Sequence, residues 1–155
     1  MKKVLLCLGL VVAICFAQAQ VYAMERITKN EDNHVVALYS GSVYRGARYY
    51  YSSLMYNEAA LKRVADAING GTSRRNVEHE FFLAKEEIIA TINAAKGEAD
   101  SLLKKDVLSL VDIQINRYGC MVDGYNGDTH AYTVGGEYYD IFYRRLADFR
   151  YKYNL

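Results

Sequence analysis

Cysteine and histidine are the side chains here best suited to nucleophilic chemistry, and one pair lies close along the chain. Cys120 and His130 belong to the same stretch of sequence. A histidine beside a cysteine can take up the thiol proton and leave a reactive thiolate. Two residues of one loop would also lie near each other without any catalytic role. The sequence therefore favours a half-buried, structural thiol at Cys120.

Acids and histidines also form two groups that resemble metal sites, and neither has the required spacing. Glu78, His79 and Glu80 are consecutive in a predicted helix, so their side chains point in different directions. The zinc-protease motif needs a second histidine at the position of Leu83. The acids of the stretch Gly119–Gly136 do not fit the twelve-residue calcium loop with Gly127 at position 6 or with Glu137 at position 12. A cation site of another kind at Asp123, Asn126 and Asp128 is the alternative, and turn formation is the favoured role of these residues. We therefore expect no metal ion and no other cofactor.

Paired carboxylates would support glycoside hydrolysis if they faced each other across a cleft. Glu137 with Asp140 or Asp123 is the candidate pair. Their spacing along the chain cannot show whether they do so. No motif specifies a reaction, so a small secreted hydrolase acting on cell-wall glycan or peptide remains an alternative function.

Tyrosine beside arginine is the most distinctive feature of the composition. The chain has 15 tyrosines, and many of them lie beside arginine in the stretches 44–51 and 138–153. Tyrosine and arginine are both enriched at the centres of protein interfaces. The alternative is that the rings fill the core and leave their hydroxyls at the surface, which helical periodicity favours for Tyr51, Tyr138 and Tyr153. The predicted binding residues are Tyr49, Tyr50, Tyr125, Asn126, Tyr139, Tyr143, Arg144 and Arg145.

Apolar residues recur at spacings of three and four along much of the chain, which indicates amphipathic helices. The pattern predicts helices at 57–69, at 76–95 with Asn76 as its cap, from 98 or 99 towards 118, and at 137–152. The segment 36–55 also fits a helical face, although parts of it are rich in β-prone residues. We predict an all-α, single-domain bundle of four or five helices, with an α+β fold as the alternative.

Five glycines between Gly119 and Gly136 predict a long Gly/Asp-rich loop before the last helix. Loops of this length are uncommon in compact domains and are often functional. A β-hairpin that turns at Asn126-Gly127 is an equally good interpretation.

The first residues have the order of parts found in a secretory signal peptide. Lys2 and Lys3 precede an uncharged apolar run at 4–17, and small residues then allow cleavage after Ala19 or Ala23. The run is shorter than the roughly 20 apolar residues of a membrane span. We therefore expect a signal peptide at 1–23 and a single globular domain at 24–155, located in the periplasm or secreted, with no membrane span after cleavage.

Charge and cysteine content narrow the function further. Removal of the two leader lysines changes the balance of 19 basic and 18 acidic residues to a net charge of −1. Such a chain has no general attraction for nucleic acid. Only Cys120 remains after cleavage, so no internal disulfide can form. The favoured function is a non-enzymatic module that binds another protein, such as an inhibitor or neutraliser. A structural subunit of an envelope assembly is a further alternative.

Overall fold

The computed structural model describes residues 45–155, which form four consecutive helices joined by short turns. These are α1 (Ala47–Asn69), α2 (Arg74–Lys96), α3 (Ser101–Tyr125) and α4 (Thr129–Tyr153). No strand occurs in this part of the chain. The prediction of an all-α bundle is confirmed, with four helices over these residues. The predicted signal peptide and the segment 36–44 lie outside the described residues.

The helices begin where a polar side chain can accept a hydrogen bond from an otherwise unpaired main-chain amide. Asp100 accepts from the amides of Leu102 (2.9 Å) and Leu103 (3.0 Å) at the start of α3. Ser73 accepts from the amide of Asn76 (3.3 Å) at the start of α2. The prediction of Asn76 as the cap of this helix was therefore wrong, because the chain is already helical from Arg74.

One hydrophobic core holds the four helices together. α1 packs against α2 and α3, whereas α4 packs mainly against α3. Burial of a large apolar side chain contributes about 1.5–3 kcal/mol, so this cluster is the main source of stability. Its large members, nearly or completely buried, include Leu54, Leu61, Val64, Phe81, Ile88, Val107, Leu110, Phe142 and Leu146.

The glycine-rich stretch Gly119–Gly136 is helical on both sides of a short turn. α3 continues through Gly119 to Tyr125, and α4 starts at Thr129. Only residues 126–128 connect the two helices, and Gly127 takes a φ of 114°, which favours glycine. The predictions of a long loop and of a β-hairpin were therefore both wrong.

Close contact between α3 and α4 explains why these glycines lie in helices. A Cβ at Gly124 would lie 2.6 Å from ring carbons of Tyr132. A Cβ at Gly135 would lie 3.3 Å from the Cβ of Cys120. Both glycines are buried, so they let the two helices approach each other. Sequence reasoning assigned this composition to a loop because the contact that favours glycine is made with the neighbouring helix, which local composition does not show.

None of the four helices is long and apolar enough to span a bilayer.

Candidate binding cleft

A cleft of about 400 Å³ lies between α1 and α4, with part of α3 in its lining. The last turns of α1, the C-terminal half of α3 and the N-terminal half of α4 contribute to it. The lining is mainly apolar, with three polar side chains. Its residues are Ala65, Ile68, Asn69, Arg117, Met121, Tyr132, Gly135, Gly136, Tyr139 and Asp140.

Helix packing and a pair of glycines produce this space. α1 and α4 both pack on α3, and the cleft separates them. Gly135 is buried against α3, whereas a Cβ at Gly136 would meet no atom within 4 Å. A larger side chain at Gly136 would therefore extend into free space and fill part of the cleft.

Arg117 lies in the cleft and is held in place from two sides. Its guanidinium forms an ion pair with Glu58 of α1, and it also lies 4.6 Å from the ring centroid of Tyr139 on α4. The Arg117 side chain is 12% exposed and that of Glu58 is 4% exposed. Because the ion pair and the cation–π contact restrain the same group, Arg117 links α1, α3 and α4 at one point.

A buried polar network extends from this ion pair into the core. Gln114 donates to the main-chain oxygen of Leu54 (3.0 Å) and to Glu58 Oε1 (2.9 Å). Its own oxygen accepts from Asn57 Nδ2 at 2.9 Å. The reverse orientation of the Asn57 amide would place its oxygen 2.9 Å from Gln114 Oε1, which is repulsive. Thr91 of α2 completes the network by donating to Asn57 Oδ1 at 3.2 Å.

Tyr132 and Tyr139 of α4 line the cleft, and Tyr143 lies next to Tyr139; we call these three residues the tyrosine face. Their spacings of seven and four place them on the same side of a helix. Each is between 37% and 42% exposed. The rings of Tyr139 and Tyr143 have centroids 4.7 Å apart. Burial, together with the negative charge of Glu58, raises the pKa of Tyr143 to about 12, so this hydroxyl stays protonated at neutral pH.

The predicted binding residues of α4 do not form a single surface. Tyr139 and Tyr143 lie together beside the cleft. Arg145 lines a separate small groove with Asp106 of α3. Arg144 is exposed, and its Nε donates to the main-chain oxygen of Asp140 at 3.4 Å. The structure therefore separates the two arginines, which are adjacent in sequence.

The two predicted binding residues of α1 also lie in different environments. Tyr49 is 46% exposed, with the Arg45 guanidinium 5.8 Å from its ring centroid. Tyr50 is fully buried, and its hydroxyl donates to the main-chain oxygen of Ala94 at 3.0 Å. Burial, reinforced by the nearby carboxylate of Glu98, raises the pKa of Tyr50 to about 12. The prediction of a surface role for Tyr50 was wrong, because this ring belongs to the core.

Two further predicted residues lie at the end of α3. Tyr125 is half-buried, and its ring centroid is 5.8 Å from that of Phe81. Asn126 is exposed in the turn that follows the helix. Neither residue lines the cleft.

Of the residues that line the cleft, only Tyr139 was among the predicted binding residues, and the missed residues include Arg117 and Tyr132. Arg117 lies far from both Tyr/Arg stretches in sequence, so local composition gave no signal for it. Tyr132 was assigned to the presumed loop. The spacing of Tyr132, Tyr139 and Tyr143 was the available signal, and it becomes meaningful only once residue 132 is known to be helical.

Of the groups considered for catalysis, Asp140 lines the cleft, whereas Cys120, Asp123, His130 and Glu137 do not. Burial, together with the negative charge of Asp123, raises the pKa of the Cys120 thiol, which disfavours the thiolate. Asp123 and Glu137 are exposed, and neither lines the cleft. Within residues 45–155, no three histidines, cysteines or acids are grouped so that they could hold a metal ion.

No protein-family model, curated protein or solved structure matches this chain.

Proposed function

We propose that this chain is a non-enzymatic, exported module that binds another protein through the tyrosine face and the adjoining cleft. The observation that carries the proposal is the position of Tyr139. Its ring is partly exposed at the cleft while the half-buried Arg117 guanidinium lies 4.6 Å from its centroid. It therefore has the features of a preformed aromatic contact.

Aromatic rings fixed before binding favour association for a physical reason. Ordering a flexible side chain at an interface costs about 0.5–1.5 kcal/mol, and a ring already restrained by its neighbours avoids much of this cost. Tyr139 is restrained by Arg117 and by Tyr143. Tyr132 is restrained because its ring carbons lie against the α3 backbone at Gly124.

The amino-terminal sequence supports a partner outside the cytoplasm. Lys2, Lys3, the apolar run at 4–17 and the small residues at 19 and 23 are typical of a cleavable leader. The partner of this proposal is therefore a periplasmic or extracellular protein.

Affinity capture with matched variants tests the proposal. The bait is the chain without residues 1–23, immobilised and exposed to an envelope extract from its own cells. The test variant is Tyr139→Ala/Tyr143→Ala, and the control is Tyr151→Ala, which removes a tyrosine that is 89% exposed and lies elsewhere on α4. We expect one protein to be retained by the wild type and the control and lost by the double variant.

The captured protein is then purified and its affinity measured by calorimetry. Loss of a hot-spot residue costs about 2 kcal/mol or more, so the double variant should bind at least about 30-fold more weakly while its circular dichroism is unchanged. If the double variant and the control bind equally well, the tyrosine face is not the contact surface.

A further inference from the structure

We infer that the cleft holds an aromatic side chain of the partner, and that a lysine or arginine adjacent to this aromatic residue contacts Asp140. This inference rests on the proposed function, since it names the chemistry of the group that the same site would take. The size of the cleft, its lining and its charge support this occupant.

The size and the lining of the cleft favour an aromatic ring as its occupant. A volume of about 400 Å³ lies at the lower end of the roughly 300–1,000 Å³ typical of ligand pockets. It is therefore large enough for one bulky side chain. Apolar atoms of Ala65, Ile68 and Met121 form much of the lining, and aromatic anchors commonly fill pockets of this kind at protein interfaces.

The geometry of α4 leaves an open position between two partly exposed rings, those of Tyr132 and Tyr139. The Tyr132 ring lies against Gly124 on α3, and the residue remains 39% exposed. One turn further along, Gly136 has no side chain, and the space beside it is open. A ring that entered there would lie between Tyr132 and Tyr139, and offset or edge-to-face aromatic pairs contribute about 0.5–1.5 kcal/mol beyond area burial.

The charges that line the cleft indicate which type of residue should lie next to this ring on the partner. Arg117 is neutralised by its ion pair with Glu58. Asp140 forms no ion pair within residues 45–155, because Arg144 binds its main-chain oxygen and not its carboxylate. The charged groups that line the cleft therefore leave one uncompensated carboxylate, which favours a basic residue on the partner.

Titration with short probes tests the inference on the chain without residues 1–23. The probes are N-acetyl-Trp-Lys-amide, N-acetyl-Trp-Glu-amide and indole. Binding of each probe is followed by NMR of the ¹⁵N-labelled protein. We expect the lysine probe to bind with a dissociation constant of about 1 mM and to shift the amides of Ala65, Gly135 and Gly136. The glutamate probe should bind about threefold more weakly, as expected for a solvated charge pair.

Two pairs of variants test whether the probes bind in the cleft and whether Asp140 causes the preference for lysine. Gly136→Leu fills the cleft and should abolish binding, whereas Gly119→Leu adds the same side chain to an open helical position outside it and should not. Asp140→Asn should remove the preference for lysine over glutamate, whereas Glu137→Gln, which changes an exposed acid outside the cleft, should leave it intact.

The outcomes separate this inference from the proposed function. If Gly136→Leu binds the lysine probe as the wild type does, or if the two charged probes bind equally, the inference is overturned. Indole that binds more tightly than either dipeptide would indicate a free apolar ligand in place of a partner side chain, which also overturns it. The proposed function fails separately, when the tyrosine-face variant retains the captured partner.

Discussion

At the scale of single residues, glycines determine how closely α3 and α4 approach. Gly124 and Gly135 are buried, and a Cβ on either would come within 3.3 Å of a neighbouring side chain. Gly119 and Gly136 lie in the same two helices, and a Cβ on either would meet nothing within 4 Å. The same residue type therefore has a packing role at two positions and leaves open space at the other two.

Gly119→Ala and Gly124→Ala should change stability in opposite directions. Alanine at 119 removes the cost of glycine in a helix, so we expect a gain of about 0.5–1 kcal/mol in the free energy of unfolding. Alanine at 124 would place its Cβ 2.6 Å from the Tyr132 ring, and such overpacking costs about 1–3 kcal/mol. Urea denaturation measures both; equal effects of the two substitutions would contradict the packing role of Gly124.

Tyr50 should make the protein less stable in alkaline solution. Its pKa is raised to about 12 in the folded state, against about 10 in an unfolded chain. Folding therefore favours the protonated phenol: its contribution is fully present below pH 10 and is lost as the pH rises towards 12, at up to about 1.4 kcal/mol per pH unit.

Tyr50→Phe should flatten the dependence of unfolding free energy on pH between 10 and 11.5. The variant also loses the hydrogen bond to Ala94 O, at a cost of about 1 kcal/mol at neutral pH. Tyr56→Phe changes a tyrosine that is 68% exposed and serves as the control. A Tyr50→Phe curve parallel to the wild type would show that this phenol does not couple to folding.

At the scale of elements, the buried polar network joins α1, α2 and α3 at fixed positions. Glu58 and Asn57 of α1 contact Gln114 and Arg117 of α3, and Thr91 of α2 contacts Asn57. Hydrogen bonds have narrow distance and angle requirements, so a shift of one helix along another would break several at once. Apolar contacts alone tolerate such shifts better.

Removal of one member of the ion pair between Glu58 and Arg117 should lower the free energy of unfolding more than removal of both members. Arg117→Met leaves the Glu58 carboxylate buried without its partner, and we expect a loss of about 3–5 kcal/mol. The double variant Glu58→Leu/Arg117→Met removes both charges and should recover at least about 2 kcal/mol of that loss. Denaturant unfolding of the single and double variants gives the coupling energy, and additive effects would show that the pair is not coupled.

Helix positions were predicted more accurately than helix ends. The apolar stripe predicted for 76–95 corresponds to α2, which extends from Arg74 to Lys96. The last helix starts at Thr129 and not near Glu137, because the cap at Asp128 and the contact of Gly135 with Cys120 extend it backwards. Apolar spacing reports the buried stripe, whereas an end depends on a single cap or contact.

At the scale of the whole molecule, the four helices of residues 45–155 contain a complete hydrophobic core. The cluster of buried residues extends from Tyr50 to Phe149. More than 100 residues are enough to form a stable core without disulfides. The half-buried Cys120 is the only free cysteine in the described region.

A chain that begins at Ser42 should therefore fold by itself. We expect a helical circular dichroism spectrum and a single cooperative thermal transition, with near- and far-ultraviolet signals lost together. The chain without residues 1–23 is the reference for both signals. Loss of the near-ultraviolet signal alone in the shorter chain would show that residues before Ser42 are needed for specific packing.

The sequence by itself determined the helical class, the approximate positions of the apolar stripes and the richness in tyrosine beside arginine. These are local properties, since the 3.6-residue period and the composition can be read within a few turns. Only the tertiary structure decided that Tyr50 is buried, that Tyr132, Tyr139 and Tyr143 share a face, and that Arg117 lies beneath that face. The physical reason is that burial and contact depend on the helix packed opposite, and here that helix is supplied by residues distant in the chain.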